Sequence, residues 1–177
     1  MESFYTHREY LKNELLKFDY TNTIKCLEFG TGDGSAVIFK ELTDKYENLS
    51  VTSYESDFNW LTETKNKYEN NNYNFIYTES WDDLLNEENF NDVYDLVFVD
   101  QSPWEVRIKT IDLLKNKTKV LILHDFDFYN KGVCDDIFSI GSESFFHKKY
   151  NDVFTMVTHI EQLPPTLIMI NKHLKLS

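Results

Sequence analysis

The chain has 177 residues, enough for one domain with a sizeable core and too few for two ordinary ones. Hydrophobic residues make up 41% and aromatics 16%, so apolar burial can offset chain entropy and global disorder is excluded. A formal net charge of -12 sets the summed field against polyphosphates and anionic surfaces, so neither nucleic acid nor membrane is expected as a partner, and a cationic or neutral small ligand fits better.

The two cysteines, Cys26 inside an apolar run and Cys134 far away, form neither a disulfide framework nor a paired metal-ligand spacing. The N-terminus "MESFYTHREYLKNELL" has no basic start followed by an apolar core, and no run approaches the roughly 18 apolar residues of a membrane span. A cytoplasmic protein is expected.

In chain order, residues 1–20 read as an N-terminal amphipathic helix, with Leu11, Leu15 and Phe18 at helical spacings among charges. "TIKCLEF" (23–29) is an apolar run ending in glycines, and "SAVIFKELTDKY" (35–46) resumes helical periodicity, which gives strand, tight turn, helix. "VTSYE" (51–55) is a second strand, followed by a helix over 56–68 that Ser56 or Asp57 can cap. Strands over 73–78, 94–100 and 118–125 alternate with a short helix over 79–87 and a longer one over 104–116. These strands are continuously apolar rather than alternating, which argues for a parallel sheet covered by helices on both faces.

After a looser segment holding Gly132 and Gly141, "NDVFTMVTHI" (151–160) and "TLIMINKHL" (166–174) are joined by a link too short for a parallel crossover. They are expected to form a C-terminal antiparallel hairpin within 150–174. The fold class is therefore α/β: one domain, doubly wound, mostly parallel, with residues 23–125 as its core.

In such a sheet the ligand lies beyond the carboxyl ends of the strands, over the first strand-to-helix turn. That turn holds Gly30, Gly32 and Gly34, in a G-x-G-x-G pattern rather than the G-x-G-x-x-G of a dinucleotide site. Glu28 lies just before it, where a carboxylate favours a cation over a diphosphate. Glu55, at the end of the second strand, stands about twenty residues on, at the spacing of an acid that takes ribose hydroxyls. The pocket reads as one for a nucleoside without phosphates.

"LEFGTGDGS", "SYES" and "YDLVFVD" together resemble the class I, Rossmann-like S-adenosylmethionine-dependent methyltransferases, over most of the chain. The resemblance implies a seven-stranded sheet ending in an antiparallel pair and S-adenosylmethionine as cofactor. It places Gly30, Thr31, Gly32 and Gly34 along the methionine portion, Glu28 near its amino group, Glu55 and Ser56 at the ribose, and Glu79, Ser80 and Trp81 around adenine. Asp100 would close the cofactor site.

Methyl transfer to a hydroxyl also needs a proton acceptor. "VFVDQSPWEVR" presents Asp100, with Trp104 and Arg107 beyond it as acceptor-pocket candidates, and "LILHDFDFYN" presents His124, Asp125 and Asp127. Adjacent strands lie about 4.8 Å apart, so Asp100 and the His124/Asp125 pair can converge on one pocket. His124 is the expected general base in the absence of a metal, since an unperturbed imidazole titrates near working pH. Histidines 7, 147, 159 and 173 have no visible partners and read as surface or packing residues.

Within the family, the segment after the fourth strand is similar to that of catechol-type small-molecule O-methyltransferases. The similarity implies magnesium at Asp100 and Asp125, with Phe126 where a third ligand would stand. The expected reaction is O-methylation of a small molecule or a sugar hydroxyl. "SPW" (102–104) keeps N-methylation of a small molecule or protein open, and a catalytically silent S-adenosylmethionine-binding subunit is a further alternative. An acceptor site completed by a second copy, in a homo-oligomer, is compatible with so small a chain.

Overall fold

The apolar runs of the sequence pair side by side into one sheet with helices on both faces, because strands apolar on both faces need both covered. In the computed structural model, which describes residues 5–126 and 145–175, β1 (Ile24–Phe29), β2 (Leu49–Glu55), β3 (Tyr73–Tyr77), β4 (Tyr94–Val99) and β5 (Thr118–His124) run parallel. β6 (Phe154–His159) and β7 (Thr166–Asn171) form the antiparallel hairpin. The sheet order is β3-β2-β1-β4-β5-β7-β6. The second strand of the hairpin, not the first, pairs with β5. Asp127, Gly132, Cys134 and Gly141, and the first four residues of the expected N-terminal helix, lie outside the described residues.

Helices cover both faces. α1 (Arg8–Leu15), α2 (Asp33–Lys45) and α3 (Phe58–Tyr68) bury Leu11, Phe39 and Leu61 against one face, with Cys26, Phe98 and Ile122 from the strands. α4 (Trp81–Leu84), α5 (Trp104–Leu114) and α6 (Phe145–Tyr150) bury Trp81, Ile111 and Phe146 against the other, with Leu27, Val97 and Leu121. The period of two within each strand is what sends Leu96 and Val97, or Leu121 and Ile122, to opposite layers.

Several boundaries differ from the sequence expectation. α1 starts at Arg8, α2 two residues early at Asp33, and α4 keeps only four residues of the expected 79–87. α6 had no forecast. Asp57 does cap α3, its carboxylate accepting from the amides of Asn59 and Trp60, both at 2.9 Å. Among the described residues no helix is long and apolar enough to cross a membrane.

Two features position the site. The strand order reverses between β1 and β4, and there Gly30 N donates to Tyr54 O at 2.9 Å while Asp100 N donates to Phe29 O at 2.8 Å. The segment before α1 is then laid over these strand ends. Arg8 donates to the carbonyls of Gly34 and Asp33 at 3.1 and 3.0 Å and covers the Tyr5 ring at 4.0 Å, and Thr6 donates to Pro164 O.

Candidate active site

A cavity of about 430 Å³ opens at the carboxyl ends of β1, β2 and β4. The turn from Gly30 to Ser35 forms its floor, Glu55 and Trp60 one wall, and Asp100, Ser102, Tyr5 and His7 the other. The three glycines serve three neighbours. At Gly30, φ is +82° and an added Cβ would sit 2.5 Å from the backbone of Gln101, so this glycine lets β1 and β4 close together. At Gly34 a Cβ would come within 2.7 Å of the His7 and Tyr5 rings. Gly32 is extended, with φ −167°, and its nearest neighbour is the Trp60 indole at 3.7 Å. Only there is side-chain volume withheld from the cavity itself.

Glu28 lies beneath this floor, fully buried. Its carboxylate accepts from the hydroxyls of Ser35, Ser53 and Tyr73, the last at 2.7 Å. Burial pushes its pKa up to about 7, against the hydrogen bonds that lower it. Glu55 borders the cavity and also braces it: one oxygen accepts from Thr31 N at 3.1 Å, the other from the amides of Ser56 and Asp57 at 2.7 and 2.9 Å. The Trp60 indole donates to Thr31 O from α3.

Of the residues expected around adenine, Glu79 is exposed, Ser80 caps α4, and Trp81 is only 6% exposed, its indole donating to Ser102 O at 2.8 Å within the core. None of the three is among the described residues that line the cavity. Trp104, half-buried at the start of α5, is not among them either, and Arg107 is buried. The Arg107 guanidinium donates to the carbonyls of Gln101, His124 and Asp100 and to Asp100 Oδ1 at 3.0 Å. It ties the ends of β4 and β5 together.

Asp100 therefore stands between a buried cation and the open cavity. Burial pushes its carboxyl up to about 8, against the pull of Arg107 and with help from Asp125, Glu28 and Glu55. Its side chain keeps 26% exposure at the cavity, so solvent tempers that shift. His124, 3% exposed, has its Nδ1 3.3 Å from the Thr166 hydroxyl and its Nε2 3.6 Å from Asp125 Oδ1. Asp125 adopts a left-handed φ of +50°.

His7 is the residue that sequence reasoning missed. It is 3% exposed, its ring centroid lies 4.3 Å from that of His124 and 5.0 Å from that of Phe98, and among the described residues neither ring nitrogen has a hydrogen-bond partner. Burial, His124 and Arg8 hold its pKa well below the usual imidazole range, so the ring is neutral. No local pattern marks it, because the chain between it and the strand ends it covers is more than ninety residues long. Trp60 was missed for a related reason, since its period in α3 is that of an ordinary helix face.

The magnesium pair implied by the resemblance does not fit these donors. Among the described residues the ligand atoms that converge, all within 4.8 Å of one another, belong to His7, Asp100 and His124, without Asp125. Two imidazoles are poor company for magnesium, which takes oxygen ligands.

The fold is shared with known methyltransferases. A structure described as a "putative caffeoyl-CoA O-methyltransferase from Staphylococcus aureus" superposes with a TM-score of 0.64 at 18% identity, covering 92% of this chain and 81% of that one. Human methyltransferase-like protein 13, in complex with S-adenosylhomocysteine, gives 0.65 at 15% identity over 97% and 85%. An rRNA methylase from Streptococcus thermophilus gives 0.58 at 11% identity over 97% of both chains. No protein-family model and no curated protein matches the sequence significantly.

Proposed function

We propose that this protein, which has the class I Rossmann-like methyltransferase fold, is an S-adenosylmethionine-dependent methyltransferase that acts on a hydroxyl of a small molecule or sugar. The observation that carries the reading is the cavity at the β1/β4 switch point, floored by Gly30–Ser35 and bordered by the carboxylates of Asp33, Glu55 and Asp100. An acidic, phosphate-averse cleft of about 430 Å³ suits a nucleoside that carries an ammonium and a sulfonium. At Gly32 an added Cβ would be in contact with the Trp60 indole alone, at 3.7 Å, so the bare backbone there leaves a slot with an aromatic wall. That the same fold holds S-adenosylhomocysteine in human methyltransferase-like protein 13 supports the assignment of the ligand.

S-adenosylmethionine, when bound, supplies an electrophilic methyl group. The chain's own residues do the rest. Glu55, fixed by three backbone amides, is held ready for ribose hydroxyls, and the peptide atoms of the glycine turn meet the methionine end. Tyr5 and His7, in the wall beside Asp100, would help align an acceptor for in-line attack, the main source of rate in such a displacement. As the new O–CH₃ bond forms and the S–CH₃ bond breaks, the acceptor proton leaves to a base. Asp100, which lines the cavity, is the group at hand, with Arg107 fixing its orientation.

Calorimetric titration with S-adenosylhomocysteine, with NAD as comparator, tests the assignment. Micromolar binding of the first alone is expected, and Gly32→Val should abolish it without unfolding the chain, because extended backbone there accepts any residue. Preference for NAD, or binding of neither, would remove the methyltransferase reading.

A further inference from the structure

Across the cavity from the nucleoside floor, three elements far apart in sequence bring together two imidazoles and a carboxylate. His7 comes from the segment before α1, Asp100 from the end of β4 and His124 from the end of β5. Each offers a ligand atom within 4.8 Å of the others. His7 is the telling member. Burying an imidazole with both nitrogens unsatisfied costs free energy that a packing residue such as Leu or Phe at that position would avoid. Yet the chain fastens it there, through Arg8 on the carbonyls of α2 and through Gly34, whose missing side chain makes room for the ring.

We propose that His7, Asp100 and His124 form a binding site for a divalent first-row transition ion of the zinc class. Two imidazole nitrogens and one carboxylate oxygen make a donor set that suits such ions and leaves coordination positions open. Metal-bound imidazoles are oriented by an outer partner on their second nitrogen, and the Thr166 hydroxyl, 3.3 Å from His124 Nδ1, supplies one and leaves Nε2 for the ion. Arg107 orients Asp100. The ring of His7 is buried beside that of His124, their centroids 4.3 Å apart. Asp125, the second magnesium ligand implied by the resemblance, is not one of the three converging donors. The inference does not rest on the nucleoside assignment, since it is read from metal binding alone.

The test is titration of tag-free, metal-stripped, full-length protein with cobalt(II), followed by its visible absorption, and with zinc by calorimetry. One ion per chain is expected, with zinc raising the melting temperature. His7→Phe keeps an aromatic ring beside Phe98 but removes both donors, and should weaken binding more than about a hundredfold, beyond the 10–100-fold that loss of an outer partner costs. His124→Gln should do the same, Thr166→Val should cost about tenfold, and His159→Ala, on β6, nothing. Circular dichroism of the metal-free variants shows that they fold; if His7→Phe does not, His124→Gln decides. Absence of stoichiometric binding, binding indifferent to the decisive variant, or magnesium binding that depends on Asp125 would each overturn the site. Because S-adenosylhomocysteine is titrated separately, loss of either result leaves the other standing.

Discussion

Two carboxylates sit under and beside the same cavity, and they are satisfied in opposite ways. Glu28 is enclosed by three hydroxyls, from Ser35, Ser53 and Tyr73, and meets no cation among the described residues. Asp100 is held by the Arg107 guanidinium at 3.0 Å and keeps one side open to the cavity. The hydroxyl cage belongs to the β1–β2–β3 half, where the chain builds a floor and seals it. The ion pair belongs to the β4–β5 half, where the chain holds a reactive group at the surface of the cleft. A sealed group can only support, whereas one held from behind can still bind.

The comparison can be broken most severely where the two halves meet. Gly30→Ala places a Cβ 2.5 Å from the Gln101 backbone at a φ of +82°, and overpacking plus left-handed strain should cost about 4–5 kcal/mol, read as a fall in the urea midpoint. Arg107→Met attacks the β4–β5 half alone: it leaves Asp100 and three strand-end carbonyls without their donor, a loss of about 3–4 kcal/mol by the same measurement.

Glu28→Gln sharpens the contrast through pH. The folded pKa is raised to about 7 above the unfolded value, so the wild type has the full benefit of a neutral Glu28 below about pH 4.5 and loses it as pH rises through 7. The variant, neutral throughout, should gain about 3 kcal/mol relative to wild type between pH 4.5 and 8, measured by paired urea melts. An unchanged difference across that range would mean that Glu28 is ionised inside its cage. The smallest effects separate two glycines of one turn. Gly34→Ala crowds His7 and Tyr5 at 2.7 Å, and the net cost after helix propensity should be about 1 kcal/mol. Gly32→Ala meets only the Trp60 ring at 3.7 Å and should stay within about 0.5 kcal/mol.

What was legible in the sequence follows from the range of the signal. The parallel strands, the closing hairpin and the glycine turn are local patterns of hydrophobicity and backbone freedom, and the structure has them in the expected order. Glu55 could be placed at the cavity because its distance from the turn is one strand–helix–strand unit. Trp81 and Arg107 carried no mark of which way they face: an indole at a helix start and an arginine one turn into a helix read alike whether they line a cleft or fill a core. Packing put Trp81 under the sheet and turned Arg107 onto carbonyls of two strands.

The sequence by itself determined the fold class and the position of the cavity, because both depend on the periodicity of apolar residues and on a turn only glycine can make at Gly30. Tertiary structure alone decided that three glycines serve three different neighbours, that Glu28 is sealed rather than exposed to ligand, and that His7 joins Asp100 and His124. Those outcomes depend on contacts between segments distant in the chain, whose geometry is set by how the sheet, its helices and the N-terminal segment pack together, and no local pattern records it.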